Sequence, residues 1–387
     1  MVTKVKDIMD YLHKKFPTKL AEDYDNVGLL IGDKDKDVRK ILFTLDVTNS
    51  VIDEAISLGC DMIISHHPLI FTPIKKITTD DYLGRIIYKA IKNDLNIFAV
   101  HTNFDNGRDG LNDYISKKLN LEDIYILSPT KEIRLYKLVC YVPKNYAQAV
   151  REAILNEGAG HIGNYSHCSF NINGQGTFMP LEGSNPFIGH KNKLEFVDEV
   201  RIETIVKEED LSKVVSAMLK VHPYEEVAYD IYSLKNSIIE GTGRIGQFKK
   251  EYTVKDLIEF IKTNFNITNV RVVGEVDRKI KKVAVVGGSG SSFIKDAIKN
   301  KCDVLITGDL KHHEALFAKE EGLIVLDIGH FGSEFIAVSY LMELVKHKFD
   351  VECVLTETNK NPFKTVWIRK YFWFFYKIYV DKNFISW

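Results

Sequence analysis

Residues 40–61, KILFTLDVTNSVIDEAISLGCD, reappear at 282–303 as KVAVVGGSGSSFIKDAIKNKCD, in register and without a gap. In each copy a short apolar strand leads into an amphipathic helix and then into a second apolar strand. The chain therefore contains a duplicated strand-helix-strand unit. The identical pairs are Lys40 and Lys282, Ser50 and Ser292, Ile52 and Ile294, Ala55 and Ala297, Ile56 and Ile298, Cys60 and Cys302, and Asp61 and Asp303.

The apolar strands predict the fold class. Segments such as 41–45 and 62–64 are almost continuously apolar and alternate with helices, a pattern that indicates a parallel sheet covered on both faces. We therefore predict an α/β protein built from two related lobes. In sheets of this kind, ligands bind beyond the carboxyl ends of the strands.

Polar segments follow three of the predicted strands, and their side chains are candidate metal ligands. SHHP follows the strand at 62–64, VHTNFD includes the end of a strand at 97–100, and GHFGSE follows a strand at 323–328. These segments offer imidazoles and carboxylates, a donor set that suits zinc, manganese, iron or cobalt better than a structural zinc site made of thiolates. The candidate ligands are His66, His67, Asp105, His330 and Glu334.

Five side chains are too many for one catalytic ion with an open position, but they fit two ions that share a bridging carboxylate and a water. Glu334 is the candidate bridge. Ser333 precedes it, and we predict that this serine caps a helix over 334–344 and fixes the carboxylate in the first turn. The sequence therefore predicts two divalent cations per chain.

Each candidate ligand also has an ordinary structural explanation. A His-His pair is often exposed or satisfied within the core. Asp105 precedes Asn106 and Gly107, which favours an Asx turn, and Glu334 could be a helix N-terminal charge. The segments all lie at predicted strand ends, and this shared position favours one joint metal site over separate structural explanations.

Five motifs resemble the NIF3-like proteins, also known as GTP cyclohydrolase 1 type 2 homologs. They are DNVGLLIGD at 25–33, SHHPLIF at 65–71, HTNFDNGRDGLND at 101–113, GDLKHHEAL at 308–316 and DIGHFGSE at 327–334. The resemblance implies that His66, His67, Asp105, His330 and Glu334 bind two divalent metals. His101 and His313 lie in the same motifs. We interpret them as catalytic groups that move protons or orient the ligands.

The order of motifs predicts the domain organisation. Two NIF3-like lobes span 1–130 and 240–366, and a ferredoxin-like (α+β) insert spans 133–234, where strands and two helices alternate. The last segment, 367–387, contains all three tryptophans and lies beyond the family resemblance. We interpret it as an atypical aromatic tail.

Two glycine-rich segments resemble nucleotide-binding loops. GTGRIG at 241–246 fits G-x-G-x-x-G, but no predicted strand or helix frames it, and we interpret it as the linker into the second lobe. VVGGSGSSF at 285–293 joins a strand to a helix, so its amides could hold an anion. It lacks the Walker lysine, and a tight structural turn is the favoured interpretation.

Two function classes stay open. The first is a metal-dependent hydrolase in which a metal-activated water opens the purine ring of GTP, with zinc, iron or manganese as cofactor. The second is a non-catalytic metal-binding regulatory or scaffold protein. The family resemblance also implies a homo-oligomer, most simply a hexamer, with a nucleotide as a possible substrate.

Composition indicates which partners and which cellular compartment to expect. A net charge of −1 from 52 basic and 53 acidic residues gives no electrostatic reason to expect nucleic acid or a stable membrane association. The five cysteines are scattered, which fits a reducing cytoplasm. We therefore expect a cytoplasmic protein.

Overall fold

The computed structural model describes residues 2–366. This part of the chain divides into two compact units. The first contains the residues up to Leu127 and those from Gly243 onward, and the second runs from Ser128 to Thr242. The bounds of the second unit lie close to the predicted insert of 133–234, whose status as a separate domain stays a prediction. The predicted aromatic tail at 367–387 lies outside the described residues.

The first unit contains a five-stranded sheet that we call the first sheet. Its three internal pairings are parallel, and the edge strand Gly28–Ile31 pairs antiparallel with its neighbour. In spatial order the strands are Gly28–Ile31, Asn96–Ala99, Met62–Ser65, Lys40–Thr44 and Glu352–Leu355. The last of these comes from the end of the described chain, although the predicted lobe boundaries place it with the second lobe.

The first unit also contains the strands of the second lobe. Lys279–Ser289, Val304–Gly308 and Ile324–Asp327 pair in parallel in that order. Arg271–Val273 pairs antiparallel with the last of them, and Tyr229–Thr253 pairs antiparallel with the first. The strands of the two lobes are mainly parallel, which confirms the predicted α/β class.

The duplicated sequence forms the same local structure twice. Ile41 lies opposite Met62, and Val283 lies opposite Val304, so the register of the parallel pair is the same in both copies. The Asp61 carboxylate accepts hydrogen bonds of 2.8 and 3.1 Å from the backbone N–H groups at 39 and 40. In the second copy the Asp303 carboxylate accepts two of 2.8 Å from those at 281 and 282. The shared aspartate therefore anchors the start of the strand in each lobe.

Helices cover the sheets of the first unit. The long helix His330–Lys348 buries Ala337, Leu341 and Val345 in a core shared with both sheets, because apolar residues recur on the face it turns inward. Within residues 2–366, no helix is both long and apolar enough to cross a bilayer. The other helices of this unit are Val5–Lys15, Asn49–Ser57, Tyr82–Lys92, Thr102–Asn106, Leu111–Lys118, Val254–Phe265, Ile294–Lys299 and His312–Glu320.

The second unit has its own core. Two helices, Ala147–Asn156 and Leu211–Val221, bury apolar side chains that include Val150 and Val214 together with strand residues such as Ile202. Glu195–Lys207 pairs antiparallel with Ser169–Phe178 and with the strand Glu122–Pro143. The strands and helices alternate as predicted, and the ferredoxin-like class of this unit stays a prediction.

Two local predictions are wrong. The predicted helix at 334–344 begins four residues earlier, at His330, with Gly329 as its N-cap. Ser333 is therefore inside the first turn, where its hydroxyl donates to the His330 carbonyl at 2.8 Å and accepts from the Gly288 N–H at 2.9 Å. The segment 241–246 is not a linker but lies within the strand Tyr229–Thr253.

Candidate metal centre

Two strand ends, a short helix and a long helix bring the five predicted ligands together. His66 and His67 directly follow Met62–Ser65, and Asp105 lies in the short helix Thr102–Asn106 that follows another strand of the same sheet. His330 and Glu334 are four residues apart in the first turns of the long helix, which places both on one face. The first lobe therefore supplies three ligands and the second lobe two.

Glu334 lies between the other ligands. Its Oε2 atom is 2.9 Å from Nε2 of His67 and 2.9 Å from Nε2 of His330. Its Oε1 atom lies 3.8 Å from Nε2 of His66. The side chain is 4% exposed. The distances show that its two oxygens face different histidines. This is the arrangement expected of a carboxylate that bridges two cations.

His66 and Asp105 form the other donor set. Nε2 of His66 lies 3.5 Å from Oδ1 of Asp105, and both atoms are buried without a hydrogen-bond partner. Leaving a buried polar atom unpaired costs about 1–3 kcal/mol, more when the group is charged. A cation between these atoms would satisfy both, so the residues present fit a divalent metal.

The imidazoles are held by their Nδ1 atoms. Nδ1 of His66 lies 2.8 Å from the Val100 carbonyl oxygen, Nδ1 of His67 lies 2.7 Å from Asp46, and Nδ1 of His330 lies 2.7 Å from Asp309. Partners of this kind fix the ring orientation and the tautomer that binds metal. In each case Nε2 is left to face the site.

The two carboxylates of the centre differ in proton affinity. Burial raises the pKa of Asp105 to about 7. Burial would also raise the pKa of Glu334, but hydrogen bonds from His330 and His67, together with the nearby His66 ring, hold it well below its ordinary value. Glu334 is therefore ionised, and a nearby cation would favour ionisation of Asp105 as well.

Glu334 also raises the pKa of two histidines of the centre. The hydrogen bond with Glu334 raises the pKa of His330 to about 9. Burial would lower the pKa of His67, but its hydrogen bonds with Asp46 and Glu334 raise it to about 10. The carboxylates therefore attract positive charge to both rings, whether it is a proton or a metal ion.

Gly288 gives the backbone close access to the bridge. Its φ of +62° is in the left-handed region, and a Cβ built at this position would overlap Oε1 of Glu334 and lie 3.4 Å from Cε1 of His330. Only glycine adopts this φ without strain and leaves room for the Glu334 carboxylate. The segment 285–293 is thus a strand-to-helix turn, as favoured from the sequence, and it also makes room for the Glu334 carboxylate.

Arg244 connects the second lobe to the segment that carries Asp105. Its side chain is 2% exposed. It donates at 2.9 Å to both oxygens of Asp113 and at 2.9 Å to the carbonyl of Gly107, which directly follows the short helix. This bidentate pair fixes the position of the helix that presents Asp105.

A family comparison places the chain among known proteins. Residues 3–362 match the family described as Duf34/NIF3 (NGG1p interacting factor 3). The chain belongs to the NIF3 family.

Relatives and solved structures of the NIF3 family extend over most of the chain. A Halalkalibacterium halodurans protein named GTP cyclohydrolase 1 type 2 homolog is 46% identical over 352 residues, covering 90% of this chain and 95% of its own. A Bacillus subtilis protein of the same name is 43% identical, covering 92% and 97%. A Bacillus cereus protein described as related to NIF3 has a crystal structure that is 42% identical, with a TM-score of 0.83, covering 95% of this chain and all of its own.

The two histidines predicted to be catalytic lie in different surroundings. Ring nitrogens of His101, His66 and His67 lie within 4.8 Å of one another, and Nδ1 of His101 is 2.8 Å from the buried carboxylate of Asp25. His313 is exposed in the first turn of the helix His312–Glu320, and its ring contacts His312. The structure therefore brings His101 to the centre, whereas no contact recorded within residues 2–366 joins His313 to it.

Three residues of this NIF3 family site are absent from the sequence-based prediction. Asp25, Asp46 and Asp309 each hold the Nδ1 atom of a site histidine. Asp25 begins the motif DNVGLLIGD, Asp46 lies in the first copy of the repeat, and Asp309 lies in the motif GDLKHHEAL. Asp46 and Asp309 lie just after strands, which was the available signal for those two, but a carboxylate that orients an imidazole has no characteristic sequence spacing from it.

Proposed function

We propose that this NIF3 family chain holds two divalent cations and acts as a metal-dependent hydrolase of the GTP cyclohydrolase type. The observation that carries the proposal is the position of Glu334. Its Oε2 faces His67 and His330, and its Oε1 faces the side of the site where His66 and Asp105 lie. The name of the Halalkalibacterium halodurans and Bacillus subtilis relatives supports the reaction type.

The donor set supports zinc, iron or manganese as the cofactor. The site offers imidazole nitrogens and carboxylate oxygens, and such mixed ligands suit these ions. When bound, a pair of divalent cations polarises a substrate oxygen and makes water a stronger nucleophile at neutral pH. The chain supplies the positions of the ligands and the proton transfers.

His101 is suited to move a proton. Asp25 is fully buried and binds the Nδ1 atom of His101, while the hydroxyl and the N–H of Thr102 also donate to this carboxylate. Burial would raise the pKa of Asp25, but the hydrogen bonds from His101 and Thr102 lower it to about 2. An ionised partner holds the imidazole in one orientation.

A cavity of about 660 Å³ beside the centre supports a substrate of nucleotide size. His67 and His330 lie on its wall, and Phe331 and Phe363 offer aromatic rings for a base. Arg271 also lines the cavity and is held there by Asp327 and by the Leu310 carbonyl oxygen at 2.9 Å. A guanidinium in this position can pair with phosphate oxygens.

The test is anaerobic purification, quantification of bound metal and an assay on a nucleotide panel with zinc, iron and manganese. We expect about two metals per chain and metal-dependent opening of the GTP purine ring. His101→Gln should retain the metal and lose most of the activity. A full complement of metal without turnover of any nucleotide would contradict the hydrolase and favour the non-catalytic alternative.

We further propose a cytoplasmic homo-oligomer, most simply a hexamer. The scattered cysteines and the near-neutral charge support this, and closed symmetric assemblies are the usual form of soluble oligomers. Light scattering on the full chain and on a version ending at Phe363 tests the state. A monomer in both would contradict the proposal.

A further inference from the structure

The second unit contains a cavity that the proposed reaction does not use. The strand Glu195–Lys207 alternates, with Val200, Ile202 and Val206 buried under the helices of this unit. Glu199 and Arg201 therefore face the other side of the sheet, because successive strand residues point to opposite faces. A cavity of about 620 Å³ lies over that face, within the range of small-molecule sites.

Two glycines form an open floor for the cavity. Gly174 pairs with Glu199 across the strands, and Ile172 pairs with Arg201. At Gly176 a Cβ would collide with the Glu199 carboxylate. Glu199 therefore lies across the space that a side chain would otherwise occupy, with its carboxylate on the cavity wall.

Three aromatic rings share the cavity wall with this carboxylate. The hydroxyl of Tyr224 donates to Glu199 at 2.9 Å. The ring of Phe178 lies 5.9 Å from that of Tyr224, and the ring of Phe187 lies 6.4 Å from it. Burial and the Glu199 charge raise the pKa of Tyr224, so its hydroxyl stays protonated and keeps donating.

The charges of the cavity wall favour a cation. Glu199, Glu225 and Glu226 contribute carboxylates, against the single guanidinium of Arg201. That guanidinium is already paired with Glu203 at 2.8 Å and lies over the ring of Tyr141. Its Nε atom is buried, so Arg201 does not offer the cavity a free positive charge to offset the three carboxylates.

We propose that this cavity binds a small organic cation with an aromatic body. The ammonium group would lie against Glu199, among the aromatic side chains of Phe178, Phe187 and Tyr224. There cation–π attraction adds to the ion pair. The apolar body would contact Ile172 on the cavity wall. This site lies wholly within the second unit and does not depend on the proposed hydrolase reaction.

Calorimetric titration of the full chain tests the proposal with tryptamine as the probe. Indole-3-propionate is the matched control, because it carries the same ring system with a carboxylate in place of the ammonium. We expect tryptamine to bind at least about tenfold more tightly, since the ion pair and the cation–π contacts require positive charge. Equal affinity for both compounds, or no binding of tryptamine at millimolar concentration, would overturn the proposal.

Variants locate the binding. Glu199→Gln removes the charge, and Asp198→Asn is its control because Asp198 is the neighbouring exposed residue and does not line the cavity. Gly174→Val fills the floor, where no atom lies within 4 Å of a Cβ position, and Asn173→Val is its control on the same strand. The first member of each pair should lose tryptamine binding, while its control retains it.

The same variants distinguish a ligand site from a contact between copies of the chain. Loss of tryptamine binding with an unchanged oligomeric state and melting temperature supports the ligand site. If Gly174→Val changes the oligomeric state, and tryptamine does not bind to the unaltered protein, the face is an interface between copies and the proposal is wrong.

Discussion

Oε2 of Glu334 lies 2.9 Å from Nε2 of His67, although 267 residues separate them in the chain. His67 follows a strand of the first sheet, and Glu334 belongs to the long helix of the second lobe. Neither lobe contains a complete donor set. The centre therefore forms only when the two lobes pack together.

Replacing Glu334 with Gln should reduce bound metal from about two per chain to one or fewer, because the amide cannot bridge two cations as a carboxylate does. Elemental analysis of the purified variant measures this. Glu343→Gln is the matched control, since Glu343 lies on the same helix with a side chain that is 47% exposed. Full occupancy in Glu334→Gln would show that this residue is not the bridge.

Gly288→Ala should also deplete the metal, because the new methyl group would displace the Glu334 carboxylate. Gly322→Ala is a matched control. Gly322 has a φ of +72° but open space around its Cβ position, so it reports backbone strain alone, about 1 kcal/mol. Elemental analysis should show a loss in the first variant only. Equal metal content in the two variants would contradict the steric argument.

Arg244→Ala should destabilise the protein by about 3–5 kcal/mol, because it leaves the carboxylate of Asp113 without its buried partner. Urea unfolding measures the free energy. Arg39→Ala, at an exposed position, should change it by less than about 0.5 kcal/mol. The double variant Arg244→Met with Asp113→Leu should recover part of the loss. A double variant less stable than Arg244→Ala would argue against an unpaired charge as the cause.

Bound metal should be released as the pH falls from about 8 to about 5, because metal ligands must be deprotonated and protons compete for the imidazole nitrogens. The affinity therefore rises with pH across this range. Equilibrium dialysis against a chelator at each pH measures the occupancy. Circular dichroism at the same pH values checks that the fold persists. Occupancy that stays constant down to pH 5 would contradict histidine ligation.

The fold class and the convergence of the five candidate ligands could be predicted from the sequence because their signals are local. The repeat at 40–61 and 282–303 fixes the strand-helix-strand units, and the identical Asp61 and Asp303 make the same backbone contacts in each. Polar residues directly after apolar strands mark the ligand positions. The structure brings all five of those residues together.

The errors and omissions arose where distant residues decide the local structure. Serine is a common N-cap residue, yet the helix begins at His330. There Asp309 contacts the histidine ring, and the Gly288 N–H donates to the Ser333 hydroxyl. The segment at 241–246 resembles a loop because of its glycines. It is a strand because the strand Lys279–Ser289 pairs with it. No pattern within either segment contains this information.

The placement of Glu352–Leu355 at the edge of the first sheet has a consequence for synthesis on the ribosome. The strand pairs in parallel with Lys40–Thr44, and Asn359 accepts hydrogen bonds of 3.1 and 3.0 Å from the N–H groups of Leu45 and Asp46. A nascent first lobe thus leaves the tunnel with one strand edge unpaired. It cannot complete its sheet until residues 352–355 have been synthesised, so the candidate metal centre reaches its final structure late in translation.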